Sequence, residues 1–592
     1  MNDKVLSTRD MDFLLWDWLD LEPMLETAAS NGREVFDRET IEAYLELSQK
    51  LAVEKFLPHY KLSDQKEPYL DDEGVHVLPE IREALHEYGE LGLFAASFPT
   101  GLGGMGLPYL VTSVSHAWFA AANGATSGYT MLTGANARLI STFGNEKQRE
   151  TFALPQIEGR WFGTMCLSEP QAGSGLGDIK TKAVPDGEDA FGNRYKLTGN
   201  KMWISGGDQD ISENIVHLVL AKIPTEDGTL PQGTSGISLF IVPKILDDGS
   251  KNDVVVAGLN HKMGNRGTSN CLLNFGESGG AIGWIVGEPG QGLRQMFMMM
   301  NEARIAVGLG AACLAVRGHL LATDYARERL QGRLVGQKED APVAIIEHPD
   351  VKRMLLATKS YAEASMALCL YCAKLVDQKS NPEANALLEL LTPVAKTFPS
   401  EFGLEANKIA LQVHGGYGYT RDFDVEQLYR DNRLNPIHEG TTGIQAADLL
   451  GRKLLHPKAS GLEVLRERMA ETMEAANRTS ELASHAAALG AALTALHRTL
   501  THLRTVEVGR QLDNAAPFLE AFGHIVVAWL WLDQTLAATK LNNQDEETRN
   551  FVEGKLAACR YFYEFELPKT GPLLKFVGEA NDAVASTPSR VL

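Results

Sequence analysis

The segment MCLSEPQAGSG (Met165–Gly175) lies where the sequence changes from helical to β-type patterning. Short runs rich in β-branched and aromatic residues surround it and follow it, and turn signals such as Pro185-Asp186-Gly187 separate them. These runs predict seven strands: Trp161–Ser168, Ile179–Val184, Tyr195–Ser205, Ile215–Ile223, Gly236–Val242, Val254–Leu259 and Asn270–Phe275. Because no helical stretch separates these runs, the sequence predicts an antiparallel β-barrel or sandwich.

Apolar residues recur at helical spacing on both sides of this β region, so the predicted fold class is α+β with several domains. An acidic amphipathic stretch near the N-terminus is expected to dock onto the body of the protein or onto a second subunit. The predicted order is an N-terminal extension (1–35), an N-terminal helical domain (36–160), a central β domain (161–285), a helical bundle domain (286–455) and a further C-terminal helical domain (456–592).

The composition excludes several classes of protein. The 592 residues include 56 Lys plus Arg against 76 Asp plus Glu, and the formal net charge of -20 argues against a nucleic-acid binder. Six cysteines are too few for a disulfide scaffold, and the pair Cys369 and Cys372 lies in a helix-like run that favours buried thiols over a redox or metal site. No signal peptide or transmembrane segment is predicted, so we expect a cytoplasmic protein.

The run GLGGMG (Gly101–Gly106) matches the G-x-G-x-x-G pattern of dinucleotide-binding loops. A weak strand precedes it, and no acidic residue follows about 20 residues later, where a ribose partner belongs. We therefore interpret it as a plain glycine-rich loop.

Three further segments carry residue types suited to chemistry. In LTGNKMWISGG (Leu197–Gly207), Trp203 stands between turn residues and can lie flat against a planar cofactor. In QVHGGYGY (Gln412–Tyr419), a helix is predicted to end in glycines. In PIHEGTTGIQ (Pro436–Gln445), the Glu439 carboxylate precedes a helix capped by a threonine, which suits a positioned general base. His438 lies next to it without metal-ligand spacing, so no metal site is predicted.

In this order and spacing, the four segments closely resemble the acyl-CoA dehydrogenase family over roughly residues 40–455. The length and the extra helical region are similar to the large bacterial subgroup of about six hundred residues, which acts on 3-methylmercaptopropionyl-CoA or fatty acyl-CoA. The resemblance implies FAD as cofactor and α,β-desaturation of an acyl-CoA thioester. It also implies that Glu439 takes the α proton while the β hydrogen leaves as hydride to flavin N5.

The resemblance further assigns binding residues, a homodimer and an electron-transfer flavoprotein as electron acceptor. In the dimer, Arg329 and Gln412 reach across the subunit interface. The residues implied to contact FAD are Leu167, Ser168, Trp203, Ser205, Arg329, Gln412, Gly416 and Thr441. The residues implied to contact the acyl-CoA substrate are Ser174, Arg304 and Gly440.

Four alternatives stay open. Some branches of the family place the base directly before the CoA arginine, where this chain has Ala303, and the neighbouring Glu302 is the second candidate base. An acyl-CoA oxidase shares the fold and passes its electrons to oxygen. An alkylation-response flavoprotein associated with DNA is disfavoured, because residues 456–592 carry 14 basic against 17 acidic residues. The intact Glu439 argues against a catalytically silent assembly protein.

Overall fold

The computed structural model describes residues 4–30, 34–336, 341–542 and 545–592, without the side chains of residues 27–30 and 297–300. The chain forms two compact units, Ala28–Ala303 and Met1–Thr27 with Arg304–Leu592.

The α-helices, in chain order, are α1 (Thr8–Asp12), α2 (Leu21–Ser30), α3 (Arg38–Leu51), α4 (Tyr60–Gln65), α5 (Pro79–Glu90), α6 (Tyr109–Phe143), α7 (Glu146–Gln148), α8 (Leu154–Ile157), α9 (Gly292–Glu328), α10 (Pro349–Asp377), α11 (Pro382–His414), α12 (Val425–Asn432), α13 (Thr442–Ala447), α14 (Gly461–Asn477), α15 (Ala483–Leu503), α16 (Ala515–Ala538), α17 (Glu546–Tyr561) and α18 (Thr570–Gly578). Segments of π-helix extend several of them, at Phe13–Trp18, Ala52–Phe56, Arg149–Ala153, Asp448–Leu455 and Phe562–Glu566.

The β-strands are β1 (Tyr69–Asp71), β2 (Gly74–His76), β3 (Trp161–Cys166), β4 (Lys182–Asp189), β5 (Gly192–Ser205), β6 (Asn214–Lys222), β7 (Ile237–Pro243), β8 (Val254–Leu259), β9 (Asn270–Phe275) and β10 (Ala281–Ile285). Strands β10, β7, β6, β4 and β5 are bonded in that order, and β10 also pairs with β5, which closes these five strands into a barrel. Strands β9 and β8 continue the sheet from β5.

The barrel confirms the predicted β domain, with three local differences. Strand β3 runs parallel to β6 over its whole length, although an antiparallel sheet was predicted throughout. The predicted turn Pro185-Asp186-Gly187 lies inside β4, where the register against β5 shifts as in a β-bulge. Strand β10 was missed, because its five residues are few and include a glycine.

Strands β6 and β7 are buried on both faces, which explains their largely apolar sequences. Val219 and Phe240 belong to the cluster inside the barrel. Leu218 and Leu239 face the other way and pack in a second cluster, which includes Leu139 of α6. The helical part of this unit thus covers one face of the sheet.

Helix α6 is two helical segments joined at a break. Asn123 has non-helical angles (φ -158°, ψ 93°) inside the helix. Its side chain stabilises the break, because Nδ2 donates to the Phe56 carbonyl at 3.2 Å and Oδ1 accepts from the Thr126 N–H at 3.3 Å.

In the other unit, α16 is the central helix and packs against α10, α11, α14, α15, α17 and α18. The N-terminal segment lies on the same helices. Trp18 Nε1 donates to Asp533 on α16 at 2.8 Å, Lys374 on α10 donates to the Leu19 carbonyl at 2.6 Å, and Asp10 pairs with Lys555 on α17 at 2.5 Å. The N-terminal segment thus packs on the body of the protein, which is one of the two docking surfaces expected for it.

Two helical stretches among the described residues, Asn301–Glu328 and Ala515–Ala538, are long and apolar enough to cross a membrane by length and composition. Most of each stretch is buried inside the protein, as in the core helix of a soluble domain, so this evidence for a membrane span is weak. All six cysteines are buried free thiols, as predicted for Cys369 and Cys372 on α10.

Candidate active site

Glu439 lies in the turn between α12 and α13, and its backbone is left-handed. The φ angle is +52° at Glu439 and +88° at the following Gly440. A glycine adopts this conformation freely, whereas a glutamate is strained there and needs support from its surroundings. Thr441 ends the turn by capping α13, because its Oγ1 accepts from the Ile444 N–H at 3.4 Å. The helix after Glu439 is thus capped by a threonine, as the sequence predicts.

The side chain of Gln445 clamps this turn. Its Nε2 donates to the carbonyl of Glu439 at 3.1 Å and to that of Gly440 at 3.3 Å. Gln445 is 0% exposed, and a Cβ at position 440 would lie 2.7 Å from its Nε2. Glycine is therefore required at position 440 both by its φ angle and by the space that the Gln445 amide occupies.

A chain of buried side-chain amides reaches the residue before Glu439. Asn407 Nδ2 donates to the Leu314 carbonyl at 2.8 Å, and Asn407 Oδ1 accepts from Asn432 at 2.7 Å. Asn432 Oδ1 accepts from Asn435 at 2.9 Å, and Asn435 Oδ1 lies 3.1 Å from His438 Nε2. A carbonyl can only accept, so it orients every amide in the chain and requires the proton of His438 to be on Nε2.

His438 is therefore a structural part of the turn. Burial, together with the positive charge of Lys396, lowers the pKa of His438 to about 4. The imidazole is neutral at neutral pH and donates its one proton to Asn435. The ring proton of His438 is thus used in a hydrogen bond that holds the turn.

Charged groups surround the turn. Burial raises the pKa of Glu439, and the positive charges of Arg304 and Lys396 oppose that rise. The Arg304 guanidinium pairs with Asp448 at 2.8 Å, and both side chains are buried. A carboxylate that is partly desolvated but faces two cations is suited to carry a charge and to accept a proton.

The second candidate base, Glu302, has a different environment. Its carboxylate pairs with Arg138 on α6 at 3.5 Å, and its side chain is 15% exposed. This ion pair already occupies the Glu302 carboxylate, whereas no ion pair to the Glu439 carboxylate is seen in the described part of the chain. The structure therefore favours Glu439 over Glu302.

In the β unit, a buried ion pair joins the first two motif segments. The Lys201 ammonium donates to Glu169 at 3.0 Å and to the Leu167 carbonyl at 3.0 Å. The same carboxylate accepts from the backbone N–H groups of Lys180 and Thr181. Sequence reasoning missed Glu169 and Lys201, although both stand inside the quoted motifs, because nothing in the sequence showed that they meet.

This pair supports the residues predicted to contact the flavin. The Met202 N–H donates to the Ser168 carbonyl at 3.0 Å, which brings Leu167 and Ser168 beside Trp203. Trp203 is left-handed (φ +68°) at a bulge between β5 and β9, and the residue is 60% exposed. A large aromatic side chain that the backbone holds at the surface fits the flat ring system of a flavin. Ser205, two residues on, accepts from Asn270 at 3.2 Å.

A further group of predicted cofactor residues lies at the end of α11. Gln412 and Gly416 are exposed there. Arg329, at the end of α9, is also exposed, and its guanidinium lies 5.7 Å from the centre of the Tyr417 ring. The structure thus brings Arg329 to the glycine-rich segment, while Ser174 is exposed on the loop after β3 in the other unit.

Comparison with protein families identifies the chain. The N-terminal, middle and C-terminal domain models of acyl-CoA dehydrogenase match residues 40–160, 164–277 and 290–455. An acetyl-CoA dehydrogenase C-terminal-like model matches residues 465–588. The chain belongs to the acyl-CoA dehydrogenase family. It is therefore a flavin-dependent oxidoreductase, and FAD, the cofactor implied by the resemblance, is confirmed at the level of the family.

Full-length relatives share its size. The 3-methylmercaptopropionyl-CoA dehydrogenase of Ruegeria pomeroyi is 35% identical over 538 residues, covering 88% of this chain and 89% of the relative. The broad-specificity linear acyl-CoA dehydrogenase FadE5 of Mycobacterium tuberculosis is 32% identical and covers 95% of each chain. The crystal structure of a Bacillus anthracis acyl-CoA dehydrogenase complexed with FAD has the same fold, with a TM-score of 0.72, 23% identity and coverage of 92% and 88%.

Proposed function

We propose that this acyl-CoA dehydrogenase desaturates its thioester substrate between the α and β carbons with Glu439 as the catalytic base. The observation that carries the proposal is the clamped left-handed turn, which fixes the backbone of Glu439, whose pKa is raised by burial. A carboxylate of ordinary pKa is far too weak a base to remove a proton from an α C–H bond efficiently. Both the raised pKa and the fixed position of Glu439 therefore favour the reaction.

The backbone of the same turn supplies the second element of catalysis. Within the part of the chain that the structure describes, the Glu439 N–H makes no backbone hydrogen bond. This N–H can donate to the thioester carbonyl and stabilise the negative charge that develops on its oxygen as the α proton moves to the Glu439 carboxylate. Gln445 keeps the N–H group in place, because it bonds both carbonyls that follow.

FAD, when bound, would supply the acceptor for the β hydrogen, which leaves as hydride. Leu167, Ser168, Trp203 and Ser205 would hold its ring system in the β unit. Arg329, Gln412, Gly416 and Thr441 would hold the pyrophosphate and adenosine portions.

The proposed substrate is a fatty acyl-CoA or 3-methylmercaptopropionyl-CoA, in keeping with the activities named for the two relatives. Ser174 is exposed and available to the CoA portion, and Gly440 lies beside the base. The contact proposed for Arg304 is more restricted. Its guanidinium is 5% exposed and pairs with Asp448, and Nε is the atom without a partner among the described residues.

We also propose a homodimer and an electron-transfer flavoprotein as the electron acceptor. The exposed Arg329 and Gln412 support the dimer, because a partner subunit would cover them and use them for its cofactor. Sedimentation of the holoenzyme measures the oligomeric state. Comparing anaerobic dye reduction with peroxide release separates a dehydrogenase from an oxidase. The cytoplasmic location stays a prediction.

The test of the base is the variant Glu439→Gln, which keeps the shape of the side chain and removes its basicity. We expect the protein to fold and bind FAD, while the rate of anaerobic flavin bleaching by substrate falls by about 10²–10⁴-fold, the usual contribution of a general base. The substrates are a panel of CoA thioesters from short to long, together with 3-methylmercaptopropionyl-CoA.

The matched control is Glu302→Gln, which makes the same change at the other candidate. We expect it to bleach at a near wild-type rate with every thioester. If Glu439→Gln bleached normally and Glu302→Gln did not, the base would be Glu302 and the proposal would be wrong.

A further inference from the structure

Lys396 is a buried lysine in the middle of α11. It is 0% exposed, and its ammonium has no hydrogen-bond partner among the residues that the structure describes. A buried ammonium without a partner is costly, so a lysine is kept at such a position only where its charge or its donors are used. The proposed mechanism uses the Glu439 carboxylate, the Glu439 N–H and the Gln445 amide, and it does not use Lys396.

The charges around Lys396 come from each element packed at the turn. Glu401 on α11 and Glu439 act on it as anions, and Arg304 on α9 acts as a cation. Burial, opposed by the two carboxylates, lowers the pKa of Lys396 to about 8, so it is protonated at neutral pH. His438 faces it as a neutral ring.

The other charges of the cluster have direct partners. Arg304 is paired with Asp448 at 2.8 Å, and Glu401 accepts the hydroxyl proton of Thr442 at 2.5 Å. Arg304 nevertheless lowers the pKa of Glu439, and its effect is larger than that of Lys396. The Lys396 ammonium has no such ion pair in the described part of the chain, and Glu439 is one of the two carboxylates that act on it.

We propose that Lys396 is a positioning residue that keeps the Glu439 carboxylate ionised in the free enzyme, ready to accept the α proton. The inference rests on the proposed function, in which Glu439 is the base. Burial alone would favour the protonated, inactive form of the carboxylic acid, and the nearby ammonium offsets that effect. The Glu439 carboxylate is thus shielded from water and still carries its negative charge.

The sign of the effect follows from the charges. Lys396 stabilises the carboxylate and therefore lowers the pKa of Glu439. Removing the ammonium raises that pKa, so a larger fraction of Glu439 is protonated at any pH near it. The acid limb of the kcat/KM profile, which reports the base in the free enzyme, should move to higher pH.

The experiment compares wild-type holoenzyme with Lys396→Met, which keeps the length of the side chain and removes its charge. The substrate is the CoA thioester of the panel that bleaches the wild type fastest. We expect the acid limb of Lys396→Met to lie about one pH unit higher than that of the wild type. This is the lower end of the pKa shifts that a neighbouring opposite charge produces. One unit below the new limb, the rate should fall about tenfold, and it should recover as the pH is raised.

The matched control is Lys374→Met, which removes a second largely buried lysine of the same unit. Lys374 bonds the Leu19 carbonyl on the N-terminal segment, and burial lowers its pKa as well. We expect its acid limb to stay at the wild-type pH. If Lys396→Met does not fold, Lys396→Gln removes the same charge and keeps a polar end, and the same shift is expected.

A second readout separates this inference from the proposed function. In pH-difference infrared spectra of the holoenzyme, the carboxylic C=O band that Glu439→Gln abolishes reports the protonation of Glu439 without turnover. In Lys396→Met this band should appear at a higher pH than in the wild type. If the band shifts while the kcat/KM profile stays constant, Lys396 does set the protonation of Glu439, but Glu439 is not the catalytic base. A band and an acid limb that both stay at the wild-type pH would overturn the inference.

Discussion

At the scale of single residues, the proposed base depends on a side chain that never touches the substrate. Glu439 and Gly440 are consecutive left-handed residues, and the only bonds observed to their carbonyls come from the Gln445 amide, among the residues that the structure describes. Without this amide, the glutamate can relax toward the right-handed region, which its Cβ favours. A small rotation there moves the carboxylate by an ångström or more.

The variant Gln445→Ala tests this dependence. We expect kcat to fall by about 10–100-fold, because misplacing a catalytic group by about 1 Å costs up to 10²-fold. KM should change little, since the side chain is buried beneath the turn. Steady-state kinetics with the best CoA thioester measure both constants, and FAD absorbance checks that the cofactor is retained.

Gln534→Ala is the control, because it truncates another 0% exposed glutamine of the same unit, on α16. It should reduce thermal stability and leave kcat of the folded enzyme unchanged. If both variants lost the same fraction of kcat, the loss would come from removing any buried glutamine amide and not from the loss of the clamp on Glu439.

At the scale of elements, helices α9 and α11 approach closely at one point. Pro399 has no N–H, so the Ala395 carbonyl lacks the usual helical donor four residues on. This oxygen faces Gly308 of α9, where a Cβ would lie 1.9 Å away. Lys396 follows Ala395, and Arg304 precedes Gly308 by about one turn of helix. The close approach therefore sets the spacing between the two cations of the site.

The variant Gly308→Ala should separate the two helices. A methyl group cannot fit against a backbone oxygen at that distance, so we expect α9 to shift and the free energy of unfolding to fall by about 3 kcal/mol. Activity should fall as well, because Arg304 and Lys396 both move. Denaturant unfolding and flavin bleaching measure the two effects.

Gly310→Ala provides the comparison on the same helix. A Cβ at Gly310 meets no atom within 4 Å, and alanine is a better helix former by up to about 1 kcal/mol. We expect this variant to be as stable as the wild type or slightly more stable, with unchanged activity. If both variants behaved alike, the contact between α9 and α11 would not be the cause.

The elements also show where sequence reasoning succeeds. Strands β8 and β9 have the predicted bounds, because Val254–Leu259 and Asn270–Phe275 lie between clear turn signals. The turn signal Pro185-Asp186-Gly187 was misleading, because the same residue types build a β-bulge and a hairpin turn. Only pairing with a partner strand distinguishes the two, and pairing is not local in the sequence.

The candidate site follows the same rule. Glu439, Trp203 and Thr441 could be named as candidates from the sequence, because motif and resemblance mark them directly, and their roles stay predictions. Lys396 and Gln445 could not, because each acts through a neighbour that only the fold brings close. Neither lysine nor glutamine in a helix signals burial, and a hydrogen bond to a backbone carbonyl leaves no sequence pattern.

At the scale of the whole molecule, the chain begins and ends in the same compact unit. The Trp18 indole donates to Asp533, whose carboxylate also accepts from Thr472 at 3.1 Å. Burial raises the pKa of Asp533, and the two donors oppose that rise. The N-terminal segment thus satisfies a buried polar group of the central helix α16, which gives the segment a structural role.

We therefore expect Trp18→Phe to weaken the packing of the N-terminal segment on α16. Phenylalanine keeps an aromatic ring and removes the N–H, which leaves Asp533 with one donor fewer, at a cost of about 1–3 kcal/mol. We expect hydrogen exchange to become faster in peptides from the N-terminal segment and from α16, and to stay unchanged in peptides from the barrel. Trp161→Phe makes the same change in the other unit, where the indole donates to the exposed Glu213 at 3.3 Å and little effect is expected. Unchanged exchange in α16 of Trp18→Phe would show that the segment only covers the helices and does not stabilise them.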